Sequence, residues 1–443
     1  MRPRRAYLLL FTLALIPAHA QEPLTLAAAV ERALARFPSV EIARARQEEA
    51  AAALKEAEAG RRVRGRITAS GTQYDEPAVV TPIHGFGPGL FPEFDDTIFQ
   101  GQLTVSYTLY DGGATGARIR SAGAQLESAG AALGGAEQTL ARRVAAAWLR
   151  ALGRSRVLAA HDRWLRALEA ELDRSRQRFD VGKAAQVEVL RAEAALASAQ
   201  SDRVGFAGAL DNAERELARL LEAPVEETRA ARLVPVDRWD PAPLDREALA
   251  RAGIEISPAV RQAREQIAGA EAAVALAESA FRPEVRAVAY LNEFGSSEGH
   301  AATEWNAGFQ LTVPLFDGGA TRQRVARAQA SRRVAEEQLR LAETQVRDEV
   351  DQAAAAAEEA QGRVASLEKA VDRFIEVARV QKLLLDNGAG TQTDYLNAEA
   401  DLLAAQANLA EAEHAAVLAR VDLARATGQL TPGWLRENLE TQP

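Results

Sequence analysis

Residues 110–120 read YDGGATGARIR, and residues 316–328 read FDGGATRQRVARA. In both copies an alternating apolar stretch ends at an Asp-Gly-Gly turn, and an Ala- and Arg-rich run of helical character follows. A glycine turn between a strand and a helix often binds phosphate, so a ligand loop is one interpretation. The other is a structural joint. Neither copy has the G-x-x-x-x-G-K-[ST] or the G-x-G-x-x-G pattern of a phosphate loop, which favours the joint.

A joint of this kind has a physical reason for both residue types. Glycine adopts backbone angles that other residues avoid, and aspartate accepts hydrogen bonds from the first free N–H groups of a helix. The residues expected to form the two strand-to-helix joints are Asp111, Gly112, Gly113, Asp317, Gly318 and Gly319.

The two joints belong to an internal duplication. Asp111 recurs as Asp317 at an offset of 206 residues, and the same offset relates Gly182 to Gly388. Upstream of the first loop the offset is 220, because the intervening loops differ in length. A register kept over this distance indicates a tandem repeat. The expected units are a signal peptide at 1–20, repeat 1 at 21–222, a linker at 223–244, repeat 2 at 245–428 and a C-terminal tail at 429–443.

Each repeat is predicted to contain a helix, two strands, a joint, a long helix and a return helix. Apolar and small residues that step by threes and fours give the long helices coiled-coil spacing. The predicted elements are initial helices at about 24–60 and 244–280, strands at about 62–74, 98–110, 282–293 and 304–316, long helices at about 114–180 and 320–386, and return helices at about 186–222 and 392–426.

The second strand of each repeat alternates strictly between apolar and polar residues. Leu103 and Val105 share one face, whereas Gln102 and Thr104 share the other. The alternation continues for about a dozen residues, which is typical of a strand in a membrane β-barrel. Charged residues on the partner strands, such as Arg64, are expected to point into a wet lumen.

Composition and the N-terminus indicate export and exclude several classes of protein. Residues 1–20 have an arginine-rich start, an apolar run and a small-x-small end, as secretory signal peptides do. Loss of their three arginines changes the formal charge from −9 to −12, so nucleic acid is not an expected partner. The absence of cysteine excludes disulfides and thiolate metal sites.

The predicted fold is mainly α with a small β part: long antiparallel helical hairpins of coiled-coil type and four antiparallel strands per chain. Four strands cannot close a barrel, and single-chain bacterial barrels begin at eight. A dimer gives eight strands, whose side chains fill the interior, whereas a trimer gives twelve and leaves room for a conduit. We therefore expect a homotrimer with a twelve-stranded transmembrane β-barrel in contact with outer-membrane lipid.

The paired LTV…[YF]DGG joints, together with the stretches RFDVGKAAQVEVLRAEAAL and LLLDNGAGTQTDYLNAEADLL, resemble the TolC family of outer-membrane efflux and secretion channels. The resemblance covers essentially all of the mature chain. It implies three protomers that form one barrel in the outer membrane of a Gram-negative bacterium and a helical tunnel through the periplasm. It also implies a periplasmic adaptor (membrane fusion) protein and an inner-membrane pump of RND or ABC type as partners.

The resemblance also assigns roles to residues near the glycine turns. The turns would contact the adaptor at the periplasmic tips, through Val181, Gly182, Asn387 and Gly388. Asp394 matches an acidic position that narrows the family's tunnel, whereas Asn397 stands where a second acid is familiar. From the residues alone, Asp394 is equally a helix-start acid favoured by the helix dipole.

The predicted function is a passive exit duct of a tripartite efflux or type I secretion system, without enzymatic activity, cofactor or metal. No nucleophile–base signature is present, and the histidines at 84, 161, 300 and 414 lack metal-ligand spacing and are expected on the solvated surface. The alternative is a non-channel periplasmic coiled-coil scaffold or adhesin, for which the alternating strands would have no use.

Overall fold

The computed structural model describes residues 24–84, 91–231, 233–236, 244–299 and 301–440. These residues are mainly helical and include four antiparallel strands, which confirms the predicted fold class. The predicted signal peptide lies outside the described residues. Within those residues, no helix combines the length and the apolar character needed to cross a membrane.

The elements in chain order are α1 Leu26–Leu34, α2 Pro38–Ala59, β1 Arg64–Val79, β2 Phe94–Tyr110, α3 Ala114–Asp180, α4 Gln186–Leu220, α5 Val225–Ala230, α6 Arg246–Ile256, α7 Pro258–Ser279, β3 Glu284–Ser296, β4 Ala301–Thr312, α8 Ala320–Asp386, α9 Gln392–Ala426 and α10 Pro432–Leu439. The two longest helices, α3 and α8, have 67 residues each. At 1.5 Å per residue, each is about 100 Å long.

The sheet has the strand order β1-β2-β3-β4, and every pair is antiparallel. Arg64 lies opposite Ser106 in the first hairpin, and Glu284 lies opposite Thr312 in the second. These pairs correspond under the repeat offsets of 220 and 206 residues. The two hairpins therefore have the same register, as two copies of one unit should.

The initial helix of each repeat is broken, contrary to the continuous helices expected at 24–60 and 244–280. α1 ends at Leu34 and α2 begins at Pro38, while α6 ends at Ile256 and α7 begins at Pro258. Proline lacks the N–H group and clashes with the preceding turn, but it fits the first position of a new helix. The breaks therefore follow from the two prolines.

The strand ends also differ from the expected bounds. β1 and β2 extend beyond residues 74 and 98 at the outer end of their hairpin, where Val80 N donates to Glu93 O at 2.9 Å. β4 ends at Thr312 instead of 316. In β2, Tyr110 still lies opposite Val285, whereas β4 has no neighbour on its outer side within the described chain.

In the main hydrophobic core, the linker and the C-terminal segment pack against the first repeat. Trp148 of α3 is completely buried there, together with Leu26 of α1 and Leu435 and Leu439 of α10. The carboxylate of Glu440 accepts a hydrogen bond from Ala27 N at 2.7 Å. The segment expected as a tail at 429–443 thus contains a helix, α10, that closes the core. The linker expected at 223–244 contains α5 and a parallel bridge between Leu24 and Leu233.

The long helices form two antiparallel hairpins, α3 with α4 and α8 with α9, and α9 also packs against α3. The contact between the hairpins includes an ion pair from Arg142 Nε to Asp422 Oδ1 at 2.7 Å and from Nη2 to Oδ2 at 3.1 Å. This two-pronged geometry is favourable for arginine and carboxylate. It fixes α9 beside α3 near the main core.

Two histidines that were expected on the surface lie between helices, so that expectation was wrong for them. His161 of α3 is buried and its Nε2 is 2.8 Å from the carbonyl oxygen of Ala199. Burial lowers the pKa of His414 on α9. The helix pattern could not show this, because a neighbouring helix covers both positions. His300 lies outside the described residues.

Candidate functional site: the joints and the helix tips

The first joint is a tight turn between β2 and α3. Asp111 Oδ1 accepts a hydrogen bond from Gly113 N at 3.0 Å, and Oδ2 accepts one from Thr115 N at 2.6 Å. Gly112 and Gly113 have φ values of 65° and 94°. These angles lie in the left-handed region, which favours glycine. One carboxylate thus satisfies two backbone donors at the start of a 67-residue helix.

The second joint repeats this geometry between β4 and α8. Asp317 accepts from Gly319 N at 2.9 Å and from Thr321 N at 2.7 Å. Gly318 and Gly319 have φ values of 64° and 86°. Two turns of the same geometry, each opening a helix of the same length, mark equivalent positions in the repeats.

Hydrogen bonding lowers the pKa of both joint carboxylates. Burial by itself raises the pKa of Asp111, but hydrogen bonds from Thr115 and Gly113 and the nearby Arg118 outweigh it. At Asp317, hydrogen bonds from Thr321 are the main cause of the lowered pKa. Both groups therefore remain charged under ordinary conditions.

The surroundings of the two joints differ. A Cβ atom added to Gly112 would lie 2.6 Å from Arg282 Cβ and 2.9 Å from the carbonyl oxygen of Ser279. Arg282 Nη1 also donates to the carbonyl oxygen of Gly112 at 2.9 Å. A Cβ atom added to Gly318 meets no described atom within 4 Å. The first joint is packed by its own chain and the second is not.

The two helix tips end in the same glycine turn. Gly182 and Gly388 each have a φ of 73°. At the first tip Gly182 N donates to Phe179 O at 2.9 Å and Lys183 N donates to Arg178 O at 2.7 Å. This is a Schellman motif, which ends a helix through a left-handed glycine. The second tip has the corresponding pair of bonds, so both hairpins turn in the same way.

The residues before the tip glycines are exposed and partly apolar. Val181 is 67% exposed, and Phe179 and Leu383 are also exposed. Asn387 donates from Nδ2 to Leu383 O at 2.7 Å. The tips therefore present apolar side chains on rigid turns rather than on loose loops.

Asp394 lies in the first turn of α9. Thr391 Oγ1 accepts from Asp394 N at 3.1 Å and donates to its carboxylate Oδ2 at 2.6 Å. These bonds cap the helix, as the dipole interpretation of Asp394 expects. The side chain is also exposed, so capping leaves its outer surface accessible.

A polar cluster between the hairpins, near the tips, was missed by sequence reasoning. Gln392 Nε2 donates to Ser175 Oγ at 2.7 Å and to Glu171 Oε1 at 3.2 Å, and all three residues are buried. Arg174 pairs with Glu171 at 2.8 Å. The spacing of Glu171 and Ser175 on one helical face was the only local signal. Their partner is more than 200 residues away.

Comparison with known proteins places these features in a family. A family model described as outer membrane efflux protein matches residues 29–223 and 249–429, one match for each repeat. The chain belongs to the outer membrane efflux protein family. The resemblance inferred from the joints and the glycine turns is thereby confirmed. As a member of this family, the protein is located in the outer membrane of a Gram-negative bacterium.

The related proteins are named for efflux, secretion and nodulation. The outer membrane efflux protein BepC of Brucella suis is 24% identical over 342 residues, which are 74% of this chain and 72% of BepC. The alkaline protease secretion protein AprF of Pseudomonas aeruginosa is 25% identical over 264 residues, covering 56% of this chain and 53% of AprF. Nodulation protein T of Rhizobium leguminosarum is 24% identical over 343 residues, or 74% and 71% of the two chains.

Solved structures share the fold of this family member. The outer membrane protein VceC of Vibrio cholerae has a TM-score of 0.72 and 20% identity, over 91% of this chain and 96% of VceC. CusC has a TM-score of 0.75 and 16% identity, over 92% of each chain. At these identities the likeness establishes the common fold.

Proposed function

We propose that three copies of this chain form a channel that crosses the outer membrane and continues through the periplasm as a helical tunnel. The channel is the exit duct of a tripartite efflux or type I secretion system and conducts substrate passively. A periplasmic adaptor joins it to an inner-membrane pump of RND or ABC type, which supplies the energy. The duct needs no enzymatic activity of its own.

The open sheet is the observation that carries this proposal. Within the described residues, β1 and β4 are its two unpaired edges. Phe309 and Leu311 on β4 are 80% and 64% exposed. An apolar, unpaired strand invites pairing with another chain, and in lipid its free backbone groups would be costly. Pairing β4 of each chain with β1 of the next removes every edge and gives twelve strands.

The repeat predicts the register of this pairing. β2 and β3 pair with Thr104 opposite Tyr290. The offset of 206 residues relates Thr104 to Gln310 on β4, and the offset of 220 relates Tyr290 to Ser70 on β1. If the junction between chains copies the junction between repeats, Gln310 lies opposite Ser70 of the next protomer.

Cysteine crosslinking tests the assembly directly, because the chain has no native cysteine. In the Ser70→Cys/Gln310→Cys variant, we expect oxidation of the membrane fraction to yield covalent dimers and trimers on denaturing gels. Residues opposite each other on adjacent strands are close enough for a disulfide. The matched control is Arg64→Cys/Gln310→Cys, in which the first cysteine is moved six residues, about 20 Å along β1.

The outcomes separate the channel from the alternative. Trimeric crosslinks in the first variant alone, and ion conductance of the purified protein in planar bilayers, would support the channel. Crosslinks of equal yield in both variants would contradict the register. A protein that is soluble in the periplasm and does not conduct would favour the scaffold or adhesin.

The tips support the proposed contact with an adaptor. Val181, Gly182, Asn387 and Gly388 lie on two equivalent turns with exposed apolar neighbours. Rigid, exposed apolar side chains are suitable anchors for a protein partner. We also propose that Asp394 lines the narrow end of the tunnel in addition to capping α9. In the Asp394→Ala variant, a conductance and cation block equal to those of the wild type would remove Asp394 from the constriction.

The relatives support an exit duct that serves more than one kind of machine. BepC is named as an efflux protein, whereas AprF is named for secretion of a protease. This chain is related in sequence to both, so the proposal concerns the duct and its partners.

A further inference from the structure

A basic cavity of about 840 Å³ lies where the sheet meets the long helices. The end of α7, the starts of α3 and α8 and the adjoining strands form its walls. Its charged lining residues are Arg64, Arg118, Arg282, Arg286, Arg324, Arg327, Asp111 and Glu284. Six arginines and two carboxylates give a formal excess of four positive charges. This is a local reversal of sign in a chain whose net charge is −9.

The cavity lies on the polar face of the sheet. Residues directly opposite each other on antiparallel strands share a face. Arg64 lies opposite Ser106 and Arg286 lies opposite Thr108, both on the polar side of β2. Thr108 and Thr312 themselves line the cavity. In the proposed channel the polar face is the lumen and the apolar face contacts lipid, so the cavity is open to solutes rather than to lipid headgroups.

Part of the positive charge has no carboxylate partner. Arg64 and Arg327 have none within 4.0 Å among the residues that the structure describes, and both are exposed. Arg282 donates to the carbonyl oxygen of Gly112 and thus keeps its full charge. Carboxylates of the described residues therefore do not neutralise these three guanidinium groups.

The acidic residues offset the other arginines only in part. Glu284 pairs with Arg286 at 2.6 Å. Asp317, just outside the cavity, is 3.9 Å from Arg324. If Asp317 is counted, the excess is still three positive charges. The carboxylate of Asp111 is occupied by the backbone N–H groups of its joint.

The lining favours recognition by charge and hydrogen bonding over stacking. None of the described residues that line the cavity is aromatic. Arginine presents five N–H donors in a fixed fork, which matches the oxygens of carboxylates, sulfates and phosphates. Several such forks around a hydrated space attract anions without enclosing them. A solute held in this way can leave again, as a conduit requires.

The repeat supplies part of the basic set twice. The offset of 206 residues relates Arg118 to Arg324, and the offset of 220 relates Arg62 to Arg282. In the proposed trimer, three cavities lie within protomers, and three junctions between protomers bring together the repeat counterparts of part of this lining. The result is a ring of positive charge at the base of the barrel.

We propose that this ring binds the anionic groups of transported solutes, namely carboxylates, sulfates or phosphate esters. The proposal rests on the proposed channel function, because cargo reaches the ring through the lumen. The cavity concentrates anionic cargo where the tunnel enters the membrane. It lies at the opposite end of the long helices from Asp394.

Citrate, a soluble trianion, is a suitable probe. Titration calorimetry at low ionic strength measures the affinity of citrate for the detergent-purified protein. The comparison is between the wild type and the Arg64→Gln/Arg327→Gln variant. The affinity of the variant should be about tenfold weaker, because focused charge raises local anion concentration by at least that factor. Added salt should weaken binding to the wild type.

The matched control is Arg251→Gln/Arg340→Gln, which removes two exposed arginines outside the cavity. Its citrate affinity should equal that of the wild type. Equal affinities of the wild type and the Arg64→Gln/Arg327→Gln variant would overturn the anion site, and so would an equal loss in the control. Conductance in planar bilayers tests the channel separately: a conducting wild type with no citrate binding loses only the anion site, whereas a protein that does not conduct loses the channel.

Discussion

At the scale of single residues, each joint depends on one aspartate. The first N–H groups of an α-helix have no acceptor within the helix. Asp111 accepts from two of the donors at the start of α3, and Asp317 does the same for α8. A carboxylate at this end of a helix is also favoured by the helix dipole. The glycines beside it allow the chain to turn without strain.

Replacement of Asp111 tests its role in starting α3. The Asp111→Ala variant should lose about 1 kcal/mol in the free energy of unfolding at pH 7, the usual cost of a lost cap. The folded pKa of Asp111 lies below its unfolded value of about 3.9. The stabilisation is therefore present above that value and is lost as the pH falls through the folded pKa. Denaturant unfolding followed by circular dichroism should show the difference narrowing in acid.

The control for this prediction is Asp173→Ala. Asp173 is an exposed residue of α3 whose carboxylate has no side-chain partner among the described residues. It should change the stability little at either pH. A deficit of Asp111→Ala that stays constant from neutral to acidic pH would show that its charge does not stabilise the joint.

At the scale of elements, glycine and proline set where the helices end. Pro38 and Pro258 begin new helices, and Gly182 and Gly388 end the two longest ones. Each tip glycine has a φ of 73°, which an L-residue adopts only at a cost. The joints and the tip glycines thus bound two long helices of equal length.

Alanine should change stability in opposite directions at the tip glycine Gly182 and at Gly205, which lies inside α4. Gly182→Ala should destabilise the turn by about 1 kcal/mol, because alanine is strained at positive φ. Gly205→Ala should be neutral or stabilising, because a Cβ there meets no described atom within 4 Å and alanine favours a helix interior. Hydrogen exchange at Lys183, whose N–H closes the turn, should accelerate only in the first variant. Equal exchange in both would rule out a role for the glycine.

At the scale of the whole molecule, one contact within the chain predicts another between chains. Arg282 packs against Gly112 and donates to its carbonyl oxygen. The repeat relates these residues to Arg62 and Gly318. The side chain of Arg62 has no hydrogen bond or ion pair among the described residues, and the space beside Gly318 is open. The proposed trimer brings Arg62 of one protomer to Gly318 of its neighbour.

Loss of this contact should weaken the assembly. Arg62→Ala should lower the temperature at which the trimer dissociates in SDS, because each hydrogen bond from a charged donor contributes about 2 kcal/mol. Arg61→Ala removes an adjacent exposed arginine and serves as the control. Identical dissociation temperatures for Arg62→Ala and the wild type would contradict the proposed contact.

The sequence by itself determined the features that depend on near neighbours. The strand alternation, the Asp-Gly-Gly turns and the glycine tips act over a few residues, and the duplication shows each of them twice. The breaks before Pro38 and Pro258 could also have been predicted, since proline excludes a continuous helix at both positions. These features depend on interactions between residues close in sequence, so the sequence is sufficient to predict them.

Only the tertiary structure decided which distant residues meet. It placed Leu435 against Trp148 in the main core, Gln392 against Ser175 between the hairpins, and Arg327 near Arg64 in the basic cavity. The partners in each pair are more than 200 residues apart, and alanine-rich helices can pack in many registers with similar patterns. Side-chain packing and charge pairing between distant segments determine which of those registers forms. These contacts exist only in the folded chain.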